Sequence, residues 1–134
     1  MSIKFTEEQE MIRESVREFA QSKIAPIALQ MEETKEIPRD VVKGMAELGL
    51  MTCTADEKYG GPGLDAVSAG VIAEELAKAD CTGSTCVYYL VPASWGFLLN
   101  KYGTEEAKQE IFPRQSQASG FLELLRLKVM LVLM

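Results

Sequence analysis

The sequence predicts an all-α protein, an orthogonal or up-down helical bundle of about five or six helices. Three observations predict it. Apolar residues recur at helical spacing in one segment after another, as in Ile12, Val16, Phe19 and Ala20, or Val67, Val71, Ile72, Leu76 and Ala79. Residues suited to N-caps stand just ahead of these segments at Thr6, Asp65 and Thr104. The connections are short, and residues 50–55, LMTCTA, are extended in character but too few to establish a sheet.

The first helix opens on Thr6-Glu7-Glu8-Gln9, a capping box in which Thr6 accepts from the N3 amide and Gln9 reaches back. Glu7, Glu8 and Glu10 suit the positive end of the helix dipole, and Glu14, Arg17 and Glu18 lie off the apolar stripe. Pro26 interrupts the helix near Ile24, and a short helical piece follows from Ile27 to about Glu33. Pro38 opens the next helix, with Val41, Val42, Met45 and Leu48 as its buried side and Gly49 as its stop. The loop Tyr59-Gly60-Gly61-Pro62-Gly63 reads as a rigid bend, because glycine accepts positive φ and close approach while proline fixes φ. It is neither a G-x-G-x-x-G nor a Walker arrangement, so it is not a phosphate cradle. Residues 83–100, GSTCVYYLVPASWGFLLN, are apolar nearly all round and form a central helix that Pro92 should kink or interrupt. Their Ser, Thr, Pro and Gly content speaks against a membrane span. Thr104 caps a last helix that Pro113 should end.

A chain of 134 residues suits one domain and is long enough to bury a core. The formal charge of −6 and the pI near 4.8 disfavour nucleic acid and anionic membrane surfaces as partners. No histidine is present, which excludes histidine triads and histidine-ligated zinc. Cys53, Cys81 and Cys86 lack metal or disulfide spacing and are expected as small buried packing residues in a reducing compartment, here the cytoplasm. The acidic start carries neither signal peptide nor transit sequence.

No self-contained catalytic constellation stands out, and no metal site. Glu74 and Glu75 are adjacent on a helix, point about 100° apart, and cannot converge on one atom. They are expected on a solvated face, pairing with Lys78. Tyr88, Tyr89 and Trp95 are expected in the core rather than as stacking partners for a flavin or base.

The order and spacing of "LGLM…EKYGGPGLD…EELAKAD", with "TEEQEMIRESVREFAQSKIAPIA" before and "YGTEEAKQEIFP" after, resemble the amino-terminal helical domain of the acyl-CoA dehydrogenase family. The resemblance covers about Phe5 to Arg114, or roughly the first third of a family member. It implies residues 1–114 as that domain of an oxidoreductase of fatty acid metabolism, a flavoprotein that oxidises acyl-CoA to trans-2-enoyl-CoA. In the family a glutamate removes the α proton and FAD takes the β hydrogen as hydride. Base, flavin contacts and CoA contacts come mostly from later domains, so the chain is expected to be truncated, to bind no FAD by itself and to be inactive alone. Family partners are acyl-CoA and an electron-transferring flavoprotein, and the assembly is a homotetramer or homodimer. The helix after "EELAKAD" forms one wall of the acyl pocket, with Thr85, Cys86, Tyr89 and Leu90 at the matching positions. The Tyr88-Tyr89 pair is bulky for that wall, and Pro92 is unusual in it. The alternatives are a non-enzymatic helical interaction module and a small acyl-CoA binder without redox activity; bound flavin colour separates them from the first reading.

Residues 115–134, QSQASGFLELLRLKVMLVLM, match nothing in the family. They read either as a Leu-rich helix or as the product of a shifted reading frame. From Phe121 the shifted codons permit Leu-Gly-Ala-Phe-Ala-Leu, two residues, then Asn-Ala-Gly-Thr-Asp. The family continues there with a segment like LGAFALTEPNAGTD. On that reading this stretch was never selected to pack on the bundle.

Overall fold

The computed structural model describes residues 4–116, and these contain helices and turns but no strand. Helix α1 (Glu7–Phe19) runs into a wide turn at Ala20–Ile24 and a tight one at Ala25–Ile27, then α2 (Ala28–Thr34) and α3 (Arg39–Glu47) follow. After two short 3₁₀ turns, Leu50–Thr52 and Glu57–Tyr59, come α4 (Ala66–Ala79), α5 (Ser84–Tyr102) and α6 (Glu105–Gln115). The expectations for the tail concern residues that, beyond Ser116, lie outside the described ones.

Local chemistry sets the helix starts. The Gln9 amide donates to Thr6 Oγ1 at 3.2 Å and the Thr6 amide to Gln9 Oε1 at 3.1 Å, the expected capping box. Asp65 Oδ1 accepts from the Ser68 amide at 2.7 Å, and Thr104 Oγ1 from the Ala107 amide at 3.3 Å. The π-type turn at 20–24 sits just before Pro26, where the ring crowds the preceding turn and supplies no N–H. Gly49, at φ +73°, ends the α3 segment in the left-handed region that glycine enters freely.

The main core joins Val16, Ala20 and Ile24 of the first segment to Met45, Leu50, Ile72, Leu76 and Tyr89. α1 packs across α4, α4 against α5, and the 50–52 turn against α5. A second cluster, Ala55, Leu99 and Phe112, with Tyr59 stacked 5.2 Å from Phe112, fastens α6.

Five expectations are corrected. Residues 50–55 are not extended: they coil tightly, and the Cys53 and Ala55 carbonyls accept from Leu64 and Gly63 at 2.8 Å each. A short apolar run with no second strand nearby satisfies its backbone locally and through the glycine loop. α5 continues through Pro92, held on its far side by Thr54 Oγ1 donating to the Ala93 carbonyl at 2.9 Å. α6 likewise passes Pro113 and ends two residues later. Of the cysteines only Cys53 is buried; Cys86 is half-buried and Cys81 exposed.

Glu75 is the fifth correction. Glu74 is exposed and pairs with Lys78, as expected, but Glu75 is only 2% exposed. Its carboxylate accepts from Arg17 Nε at 2.9 Å and Nη2 at 3.1 Å, and from Lys78 Nζ at 3.0 Å. Arg13 Nε lies 3.7 Å away. The crossing of α1 over α4 turns this carboxylate inward, a tertiary fact that adjacency on one helix does not reveal.

The Arg17 hydrogen bonds hold the Glu75 carboxyl down to about 2, against burial and with help from Lys78. The unfolded chain therefore takes up this proton first as pH falls. The stability Glu75 supplies is present above the ordinary value of 4.5 and is lost as pH falls toward about 2. Urea melts of Glu75→Gln should show a loss of about 2 kcal/mol at neutral pH and a shallower acid dependence than the parent chain. Two glycines make a second pair. A Cβ on Gly61 would stand 2.4 Å from the Ala55 carbonyl oxygen and 2.5 Å from that of Thr52, whereas one on Gly70 of α4 meets nothing within 4 Å. Thermal melts should show Gly61→Ala destabilised by about 2 kcal/mol and Gly70→Ala stabilised by about 1 kcal/mol.

Candidate functional site

The α5 stripe is built from its N-terminus. Asp80, at the end of α4, is buried and accepts from the Thr82 amide and hydroxyl at 3.0 and 2.6 Å and from the Thr85 amide and hydroxyl at 2.8 and 2.9 Å. Burial pushes its carboxyl up, but these bonds together outweigh it and hold the group below its ordinary value. The turn thus aims α5 and consumes the Thr85 hydroxyl.

Thr85, Cys86, Tyr89 and Leu90, at i, i+1, i+4 and i+5, share one side of α5 in two rows. Thr85 and Tyr89 form an inner row that is wholly buried; Cys86 is half-buried and Leu90 is 41% exposed. Leu90 is therefore open to solvent and Cys86 partly so, with Thr85 and Tyr89 behind them. Tyr89 Oη lies 3.2 Å from the Ala69 carbonyl and 3.3 Å from Cys53 Sγ. A carbonyl only accepts, so the tyrosine donates to Ala69 and the Cys53 thiol donates to the tyrosine. Burial raises both groups, which keeps them protonated. Tyr88 is half-buried and Trp95 is 40% exposed, so of the three aromatics only Tyr89 is wholly a core residue. Val87, Leu90, Trp95, Phe97, Leu98 and Tyr102 extend the exposed apolar surface along the helix.

A second feature escaped the sequence reading. A groove of about 300 Å³ lies between α1, residues 48–64 and α4. Met11, Ile12, Leu48, Leu50, Pro62 and Leu64 line it; Cys53 and Ile72 contribute too, and Glu8 and Ser15 are polar. Its one signal in the sequence was Met11, an apolar residue off the Ile12–Val16–Phe19 stripe. Exposed Glu7, Glu14 and Glu18 run along α1 beside it. Among the described residues no cluster could hold a metal ion, and no helix is long and apolar enough to cross a membrane.

These features define an all-helical domain with an uncovered apolar helix face and an acid-edged groove. Residues 6–119 match the model of the acyl-CoA dehydrogenase N-terminal domain, and the chain belongs to that family. It is 44% identical over 110 residues to a probable acyl-CoA dehydrogenase, YngJ, of Bacillus subtilis, a match covering 81% of this chain and 28% of the relative. It is 40% identical over 111 residues to the short-chain specific acyl-CoA dehydrogenase of Clostridium acetobutylicum, covering 82% and 29%. Among solved structures, a chain from work on the electron transferring flavoprotein of Acidaminococcus fermentans superposes with TM-score 0.70 at 31% identity, over 88% of this chain and 31% of that one. Butyryl-CoA dehydrogenase of Megasphaera elsdenii, at 22% identity and TM-score 0.69, shares the fold over 88% of this chain and 31% of its own. The chain thus spans less than a third of the length of these proteins.

Tyr89→Phe leaves the ring in place and removes both hydrogen bonds. Denaturant unfolding should show a loss of about 1 kcal/mol, with an unchanged helical circular-dichroism spectrum.

Proposed function

We propose that this chain supplies the N-terminal domain of an FAD-dependent acyl-CoA dehydrogenase, with the outer row of α5 as one wall of the acyl pocket and the residues beyond 119 outside the family domain. The observation that carries the proposal is the uncovered apolar face of α5 on a domain of this family. A helix this apolar is normally enclosed, so its face suits burial against further protein and an acyl tail. Cys86 and Leu90 would touch the tail. Thr85 and Tyr89 would set the depth of the wall, since a wholly buried tyrosine ring occupies volume that a longer tail would need.

The described residues do not fit the flavin itself. Within the glycine loop Gly61 packs on the Ala55 and Thr52 carbonyls rather than facing a ligand, and the loop lacks the glycine spacing of a pyrophosphate cradle. The reaction, with its base and flavin, therefore belongs to parts of the family protein other than these residues. The chain alone should give no turnover with FAD, butyryl-CoA and a dye acceptor.

A specific observation favours a second role for the same domain. The groove beside α1 is apolar within and edged by carboxylates, and the chain carries a net charge of −6. It suits a protein partner presenting an apolar side chain flanked by Lys or Arg, and the family's redox partner, an electron-transferring flavoprotein, is the occupant proposed.

A chimera tests the wall. Residues 4–116 replace the matching segment of the Clostridium short-chain enzyme, and turnover with butyryl-CoA is followed by dye reduction. Activity within about tenfold of the parent enzyme is expected. A folded, flavin-loaded chimera without activity would overturn the proposal. In the active chimera, substituting Ala for both Tyr88 and Tyr89 should extend turnover to longer acyl chains; an unchanged profile would mean the tyrosines do not bound the pocket.

A further inference from the structure

The described methionines differ sharply in exposure. Met31, Met45 and Met51 are at most 4% exposed and belong to the core, whereas Met11 is 69% exposed and lines the groove. Met1, Met130 and Met134 lie outside the described residues. We propose that Met11 is an oxidation site that switches the groove from apolar to polar and so weakens partner docking. The second half rests on the docking role given above.

The chemistry needs only a peroxide. The Met11 sulfur gives an electron pair to one oxygen of hydrogen peroxide; an S–O bond forms and the O–O bond breaks. The proton on the transferred oxygen passes to the departing hydroxide, which leaves as water. Sulfur is oxidised to the sulfoxide, peroxide is reduced, and no further reactant is required. A methionine sulfoxide reductase restores the thioether. Exposure selects the site, because the three core methionines would have to be uncovered before peroxide could reach them. Position gives the consequence. Met11 lines the groove from α1 together with the apolar side chains of Leu48, Leu50 and Leu64, and a sulfoxide there sets a strong dipole into a lining whose one hydroxyl is that of Ser15.

The test uses the full chain. After brief treatment with dilute hydrogen peroxide, peptide mass mapping should find one added oxygen on Met11 at least about tenfold faster than on Met31, Met45 or Met51. Comparable rates at the core positions would overturn the site. Binding of treated and untreated chain to a purified bacterial electron-transferring flavoprotein is then compared. Oxidation should weaken binding about fivefold, sulfoxide reductase should restore it, and Met11→Leu should make binding insensitive to peroxide. Selective oxidation with unchanged binding would overturn the switch while leaving the docking role intact. Absence of binding by the untreated chain would overturn the docking role and the switch with it.

Discussion

The crossing of α1 over α4 rests on one buried carboxylate. Glu75 is out of water, and taking a charge out of water is costly unless donors surround it. Arg17 supplies two, Lys78 a third, and Arg13 approaches behind them while its guanidinium lies 4.1 Å over the Phe5 ring. A buried ion pair of this kind adds little net stability over an apolar contact of the same shape. What it does supply is register. A shift by one residue would unpack Val16 and Ala20 from Ile72 and Leu76 and would also leave Glu75 buried without its partners. The position of α1 relative to α4, and hence one side of the groove, follows from that constraint.

The second constraint is close backbone approach. Gly61 meets the carbonyls of residues 52 and 55, and a Cβ on Gly96 would stand 2.6 Å from Thr54 Oγ1. Thr54 can thereby reach the Ala93 carbonyl, and Asn100 donates to the Thr54 carbonyl at 2.9 Å. A segment with no regular structure of its own is thus pinned between the glycine loop and α5. The same pinning lets α5 continue past Pro92: the missing N–H is one bond among many that hold the helix against its neighbours.

Caps, the glycine stop at Gly49 and much of the apolar periodicity were legible in the sequence because each is a local matter, whereas the prolines at 92 and 113 did not act as breakers. Thr6, Asp65 and Thr104 act on amides three residues away, and Gly49 acts on its own backbone. The family was legible for a related reason, since its motifs are short runs in fixed order. What the sequence concealed depends on distant segments. Glu75 and Glu74 are indistinguishable until α1 is laid across one of them. Tyr88 and Tyr89 differ by a rotation of about 100° about α5, and only the placement of Ala69 and Cys53 says which is enclosed. The groove draws its walls from residues 8–16, 48–64 and 72, so no window of sequence contains it. Residues 50–55 have the β-branched and apolar composition of a strand, but with no second strand among the described residues tight turns satisfy their backbone instead.

The two surfaces share a residue pair. Cys53 lines the groove, and its thiol donates to Tyr89, whose ring lies beneath the exposed row of α5. Tyr89 in turn donates to α4 at Ala69. Groove, α4 and α5 are therefore fixed to one another through a buried chain of two hydrogen bonds inside the main core. Such bonds are worth little individually in net stability, but their partners have no water to turn to if they separate. The geometry of the wall on one helix and of the groove beside another is accordingly set by the same few atoms, which is why a domain this small can present two apolar surfaces of different chemistry, one neutral and one edged by carboxylates, without either deforming the other.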